Sequence, residues 1–255
     1  MLLPALPQYA LPQQTGALVL TKRKKRKRRK RRSFLWRTLS KAGAAIVLGI
    51  GLTVLLVLPW RWISPPISAF VIHARAVGGH AAIRWVDWEE ISPNLPIAVV
   101  ASEDQTFPTH NGFDLESIEK AVRERDQRVR GASTISQQVA KNLFLWPGRS
   151  WVRKGLEAYL TVFIEMLWPK QRILEIYLNL AQFGPATFGV GASASELFGK
   201  PASQLSPRQS ALMAAVLPSP KRMSVRKPSP YVEERVAWIQ KQVDQLGGPA
   251  YLEGM

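Results

Sequence analysis

Residues 97–114 read IAVVASEDQTFPTHNGFD. An unbroken apolar run opens the stretch. Ser92-Pro93 shortly before it is a helix-start signal, a capping serine with proline at the first helical position. The run therefore reads as a buried helix ending at Glu103. A carboxylate at that end is electrostatically misplaced, because the helix dipole already makes the C-terminus negative. Two roles fit Glu103 and Asp104. Either they cap and solubilise a helix end, or one of them sits in a partly dry site and moves a proton. His110 and Asp114 raise a third idea, a metal site. The chain has only three histidines and no closely paired HExxH-type spacing, so a dedicated histidine site is disfavoured.

Toward the N-terminus the charge is concentrated. Of 255 residues, 35 are Lys or Arg against 18 Asp or Glu, a formal charge of +17. Lys22–Arg32 is an uninterrupted basic block, KRKKRKRRKRR, whose like charges repel and which has nothing to bury. Nucleic-acid binding is one reading of it, and the flank of a membrane segment is the other. The second is favoured by Ala42–Trp60, AGAAIVLGIGLTVLLVLPW, which carries no charge between Lys41 and Arg61. As a helix this stretch spans about 28 Å, close to the hydrocarbon thickness of a bilayer. The basic region is too long for a cleaved leader, and the positive flank belongs on the cytoplasmic side. The expected organisation is a disordered basic cytoplasmic tail over 1–33, a transmembrane anchor over 34–62, a connector over 63–74 and one external domain over 75–255. With no cysteine, disulfides, thiolate metal sites and thiol nucleophiles are excluded.

Toward the C-terminus the pattern is helical. A helix is expected from Asp114 through SIEKAVRERDQ, and another over TISQQVAKNLF capped by Ser133. WVRKGLEAYLTVFIEMLW should close at Pro169, and KQRILEIYLNLAQF at Gly184. SPRQSALMAAVL begins with a capping box, Ser206 with Gln209 in the Glu position. YVEERVAWIQKQV should stop at Gly247-Gly248. No alternating strand series occurs, so the fold class is mainly α.

Two of these helices carry polar groups at helical spacing. Gln137, Gln138 and Lys141 share a face, opposite Ile135, Val139 and Leu143. Arg149, Arg153 and Glu157 follow at four-residue steps and should lie on one side of a helix. Each set by itself reads as a solvated face. Together with the isolated Glu103 they read as two carboxylates among fixed cations, a set suited to an anionic sugar-phosphate.

Five ordered segments, EDQTFPTHNGFD at 103, GASTISQQVAKNLFL at 131, RKGLE at 153, ILEIYLNL at 173 and FGVGASASELFGK at 188, resemble the family 51 glycosyltransferases, the peptidoglycan glycosyltransferases that polymerise lipid II. The likeness covers roughly residues 75–250. WVDWEEISPNLPIAVVASEDQ and the terminal helix resemble the monofunctional biosynthetic form. A Ser224-x-x-Lys227 sequence is followed by too few residues for a transpeptidase domain. Ala132 and Ser136 stand where Gly and Thr are commoner, Leu197 where Tyr is usual, and Gly191 at a position often acidic.

The resemblance implies a lysozyme-like fold behind a single transmembrane helix. It implies an inverting transfer of the growing glycan from undecaprenyl pyrophosphate to the 4-hydroxyl of an acceptor lipid II. Glu103 would be the general base, near the usual glutamate pKa of about 4.3. Lys141, Arg149 and Arg153 would receive the pyrophosphate, while Gln138, Ser133 and Thr134 would bind substrate. Glu157 would be a second catalytic glutamate that holds the cations, or a divalent ion, in register. No cofactor is required by the sequence, although a loosely bound Mg or Mn ion on the pyrophosphate is compatible with it. The implied partners are lipid II, the nascent glycan chain and the membrane, with room for cell-division or elongation proteins and no nucleic acid. The implied location is the bacterial inner membrane with the catalytic domain in the periplasm. Residues 105–130 and Leu143–Trp146 are the segments expected to lean into the bilayer. A lytic transglycosylase of similar fold, or a tethered nucleic-acid binder, are the rival readings.

Overall fold

The computed structural model describes residues 16–78, 83–116, 119 and 133–255, with side chains described from residue 36 onward. The chain divides into two compact units, one ending at Leu52 and one covering Thr53–Met255. Helix α1, Gly16–Val57, runs from the first unit into the start of the second. Within this part of the chain, Trp36–Arg61 is long and apolar enough to cross a membrane. Residues 16–33, expected as an unstructured tail, instead continue α1. Lys and Arg are good helix formers, and extending an existing helix avoids the cost of nucleation.

The second unit is helical. Its helices are α2 Ala69–Ala76, α3 Asn94–Glu103, α4 Ile135–Phe144, α5 Trp151–Leu167, α6 Lys170–Leu180, α7 Val190–Phe198, α8 Pro207–Val216 and α9 Pro230–Leu246. Among the described residues no strand forms, and an isolated bridge joins Gln182 and Phe188. Helix α2 falls where a connector was expected. It is a short helix started by Ser68, whose hydroxyl accepts from Val71 N. The helix expected over 114–125 lies largely outside the described residues.

α3 is the axis of the core. Every residue from Leu95 to Ala101 is buried, the signature of a helix wrapped on all sides, and α8 and α9 pack against it. Its start differs in detail from expectation. Ser92 turns its hydroxyl away to donate to Leu205 O at 2.8 Å, and Pro93 takes the cap position without a side-chain bond. α6 is the second buried helix, with Ile173–Leu180 all inside. It ends at Leu180 rather than running on to Gly184. The chain folds back there, with Phe183 N donating to Thr187 O and Gly189 N to Ala181 O.

Several boundaries follow local chemistry. The Ser206–Gln209 capping box is present on α8. α9 starts with Ser229 and Pro230, and stops at Gly247 in the left-handed region, φ +89°. On α4 the cap is Thr134, not Ser133, and Gln137 completes its capping box. The extended segment before α3 is clamped by Asn179, whose side-chain amide donates to Val86 O and accepts from Val86 N, each at 2.9 Å. Gly191 has a packing reason. A Cβ there would sit 2.4 Å from Arg84 O, so any side chain would push that segment off α7.

Within the second unit, the chain from the end of α1 to Arg61 is tied to the α5–α6 junction. Trp168 Nε1 donates to Val57 O at 3.1 Å, Arg172 Nε to Trp60 O at 3.0 Å, and Arg61 Nη1 to Leu167 O at 2.5 Å.

Candidate active site

The two acids of the opening stretch have separate fates. Asp104 leaves the helix and is buried. It accepts from Ile135 N, the first residue of α4, at 2.9 Å, and it meets His110 Nε2 at 3.0 Å through both oxygens. Gly112 N donates to His110 Nδ1, so the ring proton sits on Nε2 and points at Asp104. Gly112 O in turn accepts from the Thr134 hydroxyl at 2.7 Å. Asp104, His110, Gly112 and Thr134 therefore join the loop after α3 to the start of α4. The sequence idea of a metal set at Glu103, His110 and Asp114 dissolves, since His110 serves Asp104 and Asp114 accepts from Thr106.

Glu103 faces a different neighbourhood. It is half-buried, and Gln138 Nε2, on α4, donates to its Oε2 at 3.0 Å. The Tyr177 hydroxyl from α6 reaches the other end of that amide, Oε1, at 3.4 Å. Loss of water raises the Glu103 pKa above the ordinary glutamate value, while the Gln138 bond and the charges of Arg235 and Lys141 pull the other way. This corrects the expectation of an unperturbed carboxylate. The Tyr177 phenol is fully enclosed, and burial beside Glu103 and Asp104 pushes its pKa well up, so it remains a donor.

The cations gather one turn further along. Lys141 is half-buried, lies 5.9 Å from the Phe70 ring centroid and has no ion-pair partner among the described residues. Its pKa is lowered, first by burial and then by the like charges of Arg153 and Lys154, with Glu157 and Glu103 opposing. Glu157 is itself buried, 3% exposed, and carries two cations: Arg153 Nη1 at 2.7 Å and Lys154 Nζ. Lys154 also reaches the Ser133 hydroxyl at 3.2 Å. Among the described residues Arg153 Nε is buried without an acceptor. A cluster of three cations against one carboxylate, with an unused buried donor, is built to receive an anion.

Not every expected residue joins it. Arg149 is exposed on the loop before Ser150, the cap of α5, so it is not on the helix face that carries Arg153 and Glu157. Gln137 is spent on the capping box, and Thr134 on the cap and on Gly112. Lys154, Tyr177 and Arg235 were missed. Lys154 lies three residues before Glu157, a helical spacing as good as the four of Arg153, and that was the available signal. Tyr177 and Arg235 meet Glu103 only across the fold.

Beside these groups is a cavity of about 210 Å³ lined by Phe70, Gln138, Lys141, Tyr177 and Phe188 among others. Glu103 stands one hydrogen bond behind its Gln138 wall. A larger cavity of about 520 Å³ shares Phe70, Gln182, Phe188 and Pro220 with it and extends toward His73, Lys221 and Arg222. The Leu143–Trp146 segment is mostly not a membrane face, because Leu143 and Leu145 are in the core and only Trp146 is exposed. The outward apolar stripe lies instead on α5, at Trp151, Val152, Leu156, Tyr159, Val162 and Met166.

Residues 72–244 match the family described as transglycosylase. The chain belongs to the transglycosylase family. This transglycosylase is 56% identical over 226 residues to a protein of Xanthomonas campestris pv. campestris named biosynthetic peptidoglycan transglycosylase, covering 85% of the chain and 92% of the relative. A Xanthomonas oryzae pv. oryzae protein of the same name is 56% identical over 82% of the chain and 89% of the relative. A Pseudomonas putida one is 50% identical over 86% and 95%. The matched region of the transglycosylase contains the whole cluster from Glu103 to Arg235.

Proposed function

We propose that this chain is a peptidoglycan glycosyltransferase that polymerises lipid II, without transpeptidase activity, passing the growing glycan from undecaprenyl pyrophosphate to the 4-hydroxyl of an acceptor lipid II with inversion. The observation that carries the reading is a half-buried carboxylate, Glu103, within electrostatic reach of Lys141, which is itself grouped with Arg153, Lys154 and their balancing carboxylate Glu157. The names of the relatives support the substrate class.

In the proposed reaction the acceptor oxygen forms a bond to the donor's anomeric carbon as its proton passes to Glu103. The bond from that carbon to the phosphate oxygen breaks, and the pyrophosphate leaves with the electron pair. A raised pKa makes Glu103 a stronger base, nearer the working pH than an ordinary glutamate. Lys141, Arg153 and Lys154 meet charge that grows as the bond breaks, which favours the transition state over the ground state. Glu157 holds two of them in place. Arg149 is proposed as a further phosphate contact from its exposed loop, outside the cluster, and Ser133 contributes to substrate binding alongside Lys154. Thr134 contributes through the shape of the loop, since its hydroxyl is engaged.

A resident divalent ion does not fit these residues. Both Glu157 oxygens already hold cations, and the described residues contain no cluster of three or more potential ligands. An Mg or Mn ion would therefore arrive with the pyrophosphate. The apolar segment Trp36–Arg61 is proposed as a single pass through the inner membrane, cytoplasmic at its basic end, with the domain in the periplasm. The α5 stripe suits contact with lipid, where a C55 substrate resides.

The test is Glu103→Gln with labelled lipid II. Polymerisation should fall by at least about two orders of magnitude with the unfolding transition retained. Near-normal turnover refutes the base, and release of muropeptides from isolated sacculi in place of chain growth refutes the synthetic reaction.

A further inference from the structure

Glu103, Gln138 and Tyr177 come from three different helices, α3, α4 and α6, and meet in a single file of two hydrogen bonds. From this geometry we infer that Tyr177 is a positioning residue for the base: its hydroxyl fixes the Gln138 amide, and the amide fixes which way the Glu103 carboxylate points. The inference rests on the reading of Glu103 as the base.

An amide has two nearly equal-sized ends, and a carboxylate tolerates only one of them. With Nε2 toward Glu103, the amide donates. Rotated by half a turn, its oxygen would face a carboxylate oxygen and both would repel. Repulsion sets the orientation while the pair is intact, but at a cavity wall substrate or water can draw the amide away from Glu103. The Tyr177 hydroxyl holds it in place. Its ring is buried to 2% exposure on a helix whose other buried residues are Ile and Leu together with Glu175 and Asn179. The only hydrogen bond its hydroxyl makes among the described residues is to Gln138 Oε1. A buried hydroxyl costs stability unless it is bonded, so a core position with room for phenylalanine carries tyrosine for what its oxygen does.

The other groups around the base act differently. Lys141 on α4 and Arg235 on α9 face Glu103 as charges, with Arg235 held by its Nε on Ala215 O at 3.2 Å, and Asp104 adds a like charge from the adjoining residue. From the other elements packed on α3, Arg208 of α8 is engaged by Glu233, and Tyr251 of the terminal turn donates to Gln105 O. None of these fixes the direction of a carboxylate oxygen as a hydrogen bond does.

The experiment is the pH dependence of lipid II polymerisation by the full chain, for the wild type, Tyr177→Phe, Gln138→Met and the double variant. Freeing the amide removes a hydrogen bond that favours the charged form of Glu103, so the acidic limb should move to higher pH. A move of about one unit, roughly tenfold in rate on the limb, is expected for either single variant. The rate above the limb should fall less than the rate on it. The double variant should move the limb no further than Gln138→Met alone, because both changes break one relay. A limb that stays in place in Tyr177→Phe, whatever the overall rate, overturns the inference, and so do two shifts that add. Should Tyr177→Phe unfold, Tyr177→Met, which fills the space with a flexible apolar chain and no hydroxyl, takes its place, and an unmoved limb overturns the inference. Glu103→Gln separates the two levels: if it polymerises at the wild-type rate the base assignment falls, whereas an inactive Glu103→Gln with an unmoved limb in Tyr177→Phe removes the relay only.

Discussion

Glu103 is held where its charged form loses water, and the consequence for stability has a definite sign. Its folded pKa lies above the unfolded value of 4.5. The folded chain therefore binds the proton more tightly, and stability falls as pH rises from the unfolded value through the folded one. The cost grows with pH until the folded group has also ionised. Glu103→Gln should unfold at a higher temperature than the wild type near pH 7.5, and the difference should vanish below about pH 4.5, where both states are protonated. A melting series across that range checks it. Gly112 makes a second claim at this scale. Its φ is +88°, and a Cβ would lie 2.7 Å from Thr161 Cγ2 and 2.9 Å from Glu165 Cγ. Gly112→Ala should destabilise by about 1–3 kcal/mol in chemical unfolding, from left-handed strain plus crowding. Loss of activity should accompany it, because this residue anchors the ring of His110 and the Thr134 hydroxyl.

At the scale of elements, what could be read from the sequence was what local chemistry determines. The apolar run before Glu103, the stop at Pro169, the Ser206 box and the stop at Gly247 are signals contained within a few residues, and each became a helix boundary. The choice between Ser133 and Thr134 was not of that kind. Both can cap, and Thr134 wins because Gly112 O and the Gln137 amide are placed to bond it while Lys154 takes Ser133. Thr134→Ala should cost about 1–2 kcal/mol and Ser133→Ala less than about 0.5 kcal/mol in urea unfolding. Equal costs would contradict the cap. The candidate site was legible as a set of residue types and only partly as an arrangement. Gln138, Lys141, Arg153 and Glu157 were grouped by spacing and Glu103 by its place at a helix end, with their roles implied by the family resemblance, but Arg149 was placed on a helix that begins after it. Tyr177 and Arg235 stand 74 or more residues from Glu103 in sequence, beyond any periodicity. Asn179 is similar: its two bonds to Val86 imitate a strand partner for an isolated extended segment. Asn179→Ala should cost about 2–4 kcal/mol by leaving a buried N–H and C=O unpaired.

At the scale of the whole molecule, the α5 stripe carries the membrane question for the second unit. Trp151 is 92% exposed, with Val152 and Met166 above 70%. Isolated exposed apolar residues are ordinary, but a row of six along one helix is a patch that favours another apolar phase. After reconstitution into vesicles containing brominated lipid, Trp151 fluorescence should be quenched. Trp151→Phe should remove that component of the quenching. An unchanged signal would mean the stripe faces water or another protein.

The bonds at the end of α1 bear on how the catalytic unit can be shortened. Val57 is fully buried, its carbonyl is the acceptor for the Trp168 indole, and the Trp60 carbonyl is the acceptor for Arg172. A truncation made after Arg61, the obvious place if everything before it is regarded as a removable tether, would strip both acceptors and open a hole in the core. Cutting at Thr53 keeps them. Engineers seeking a water-soluble version should therefore retain the last turn of the anchor and recolour its outward residues, Leu55 and Leu56, with polar side chains instead of deleting it.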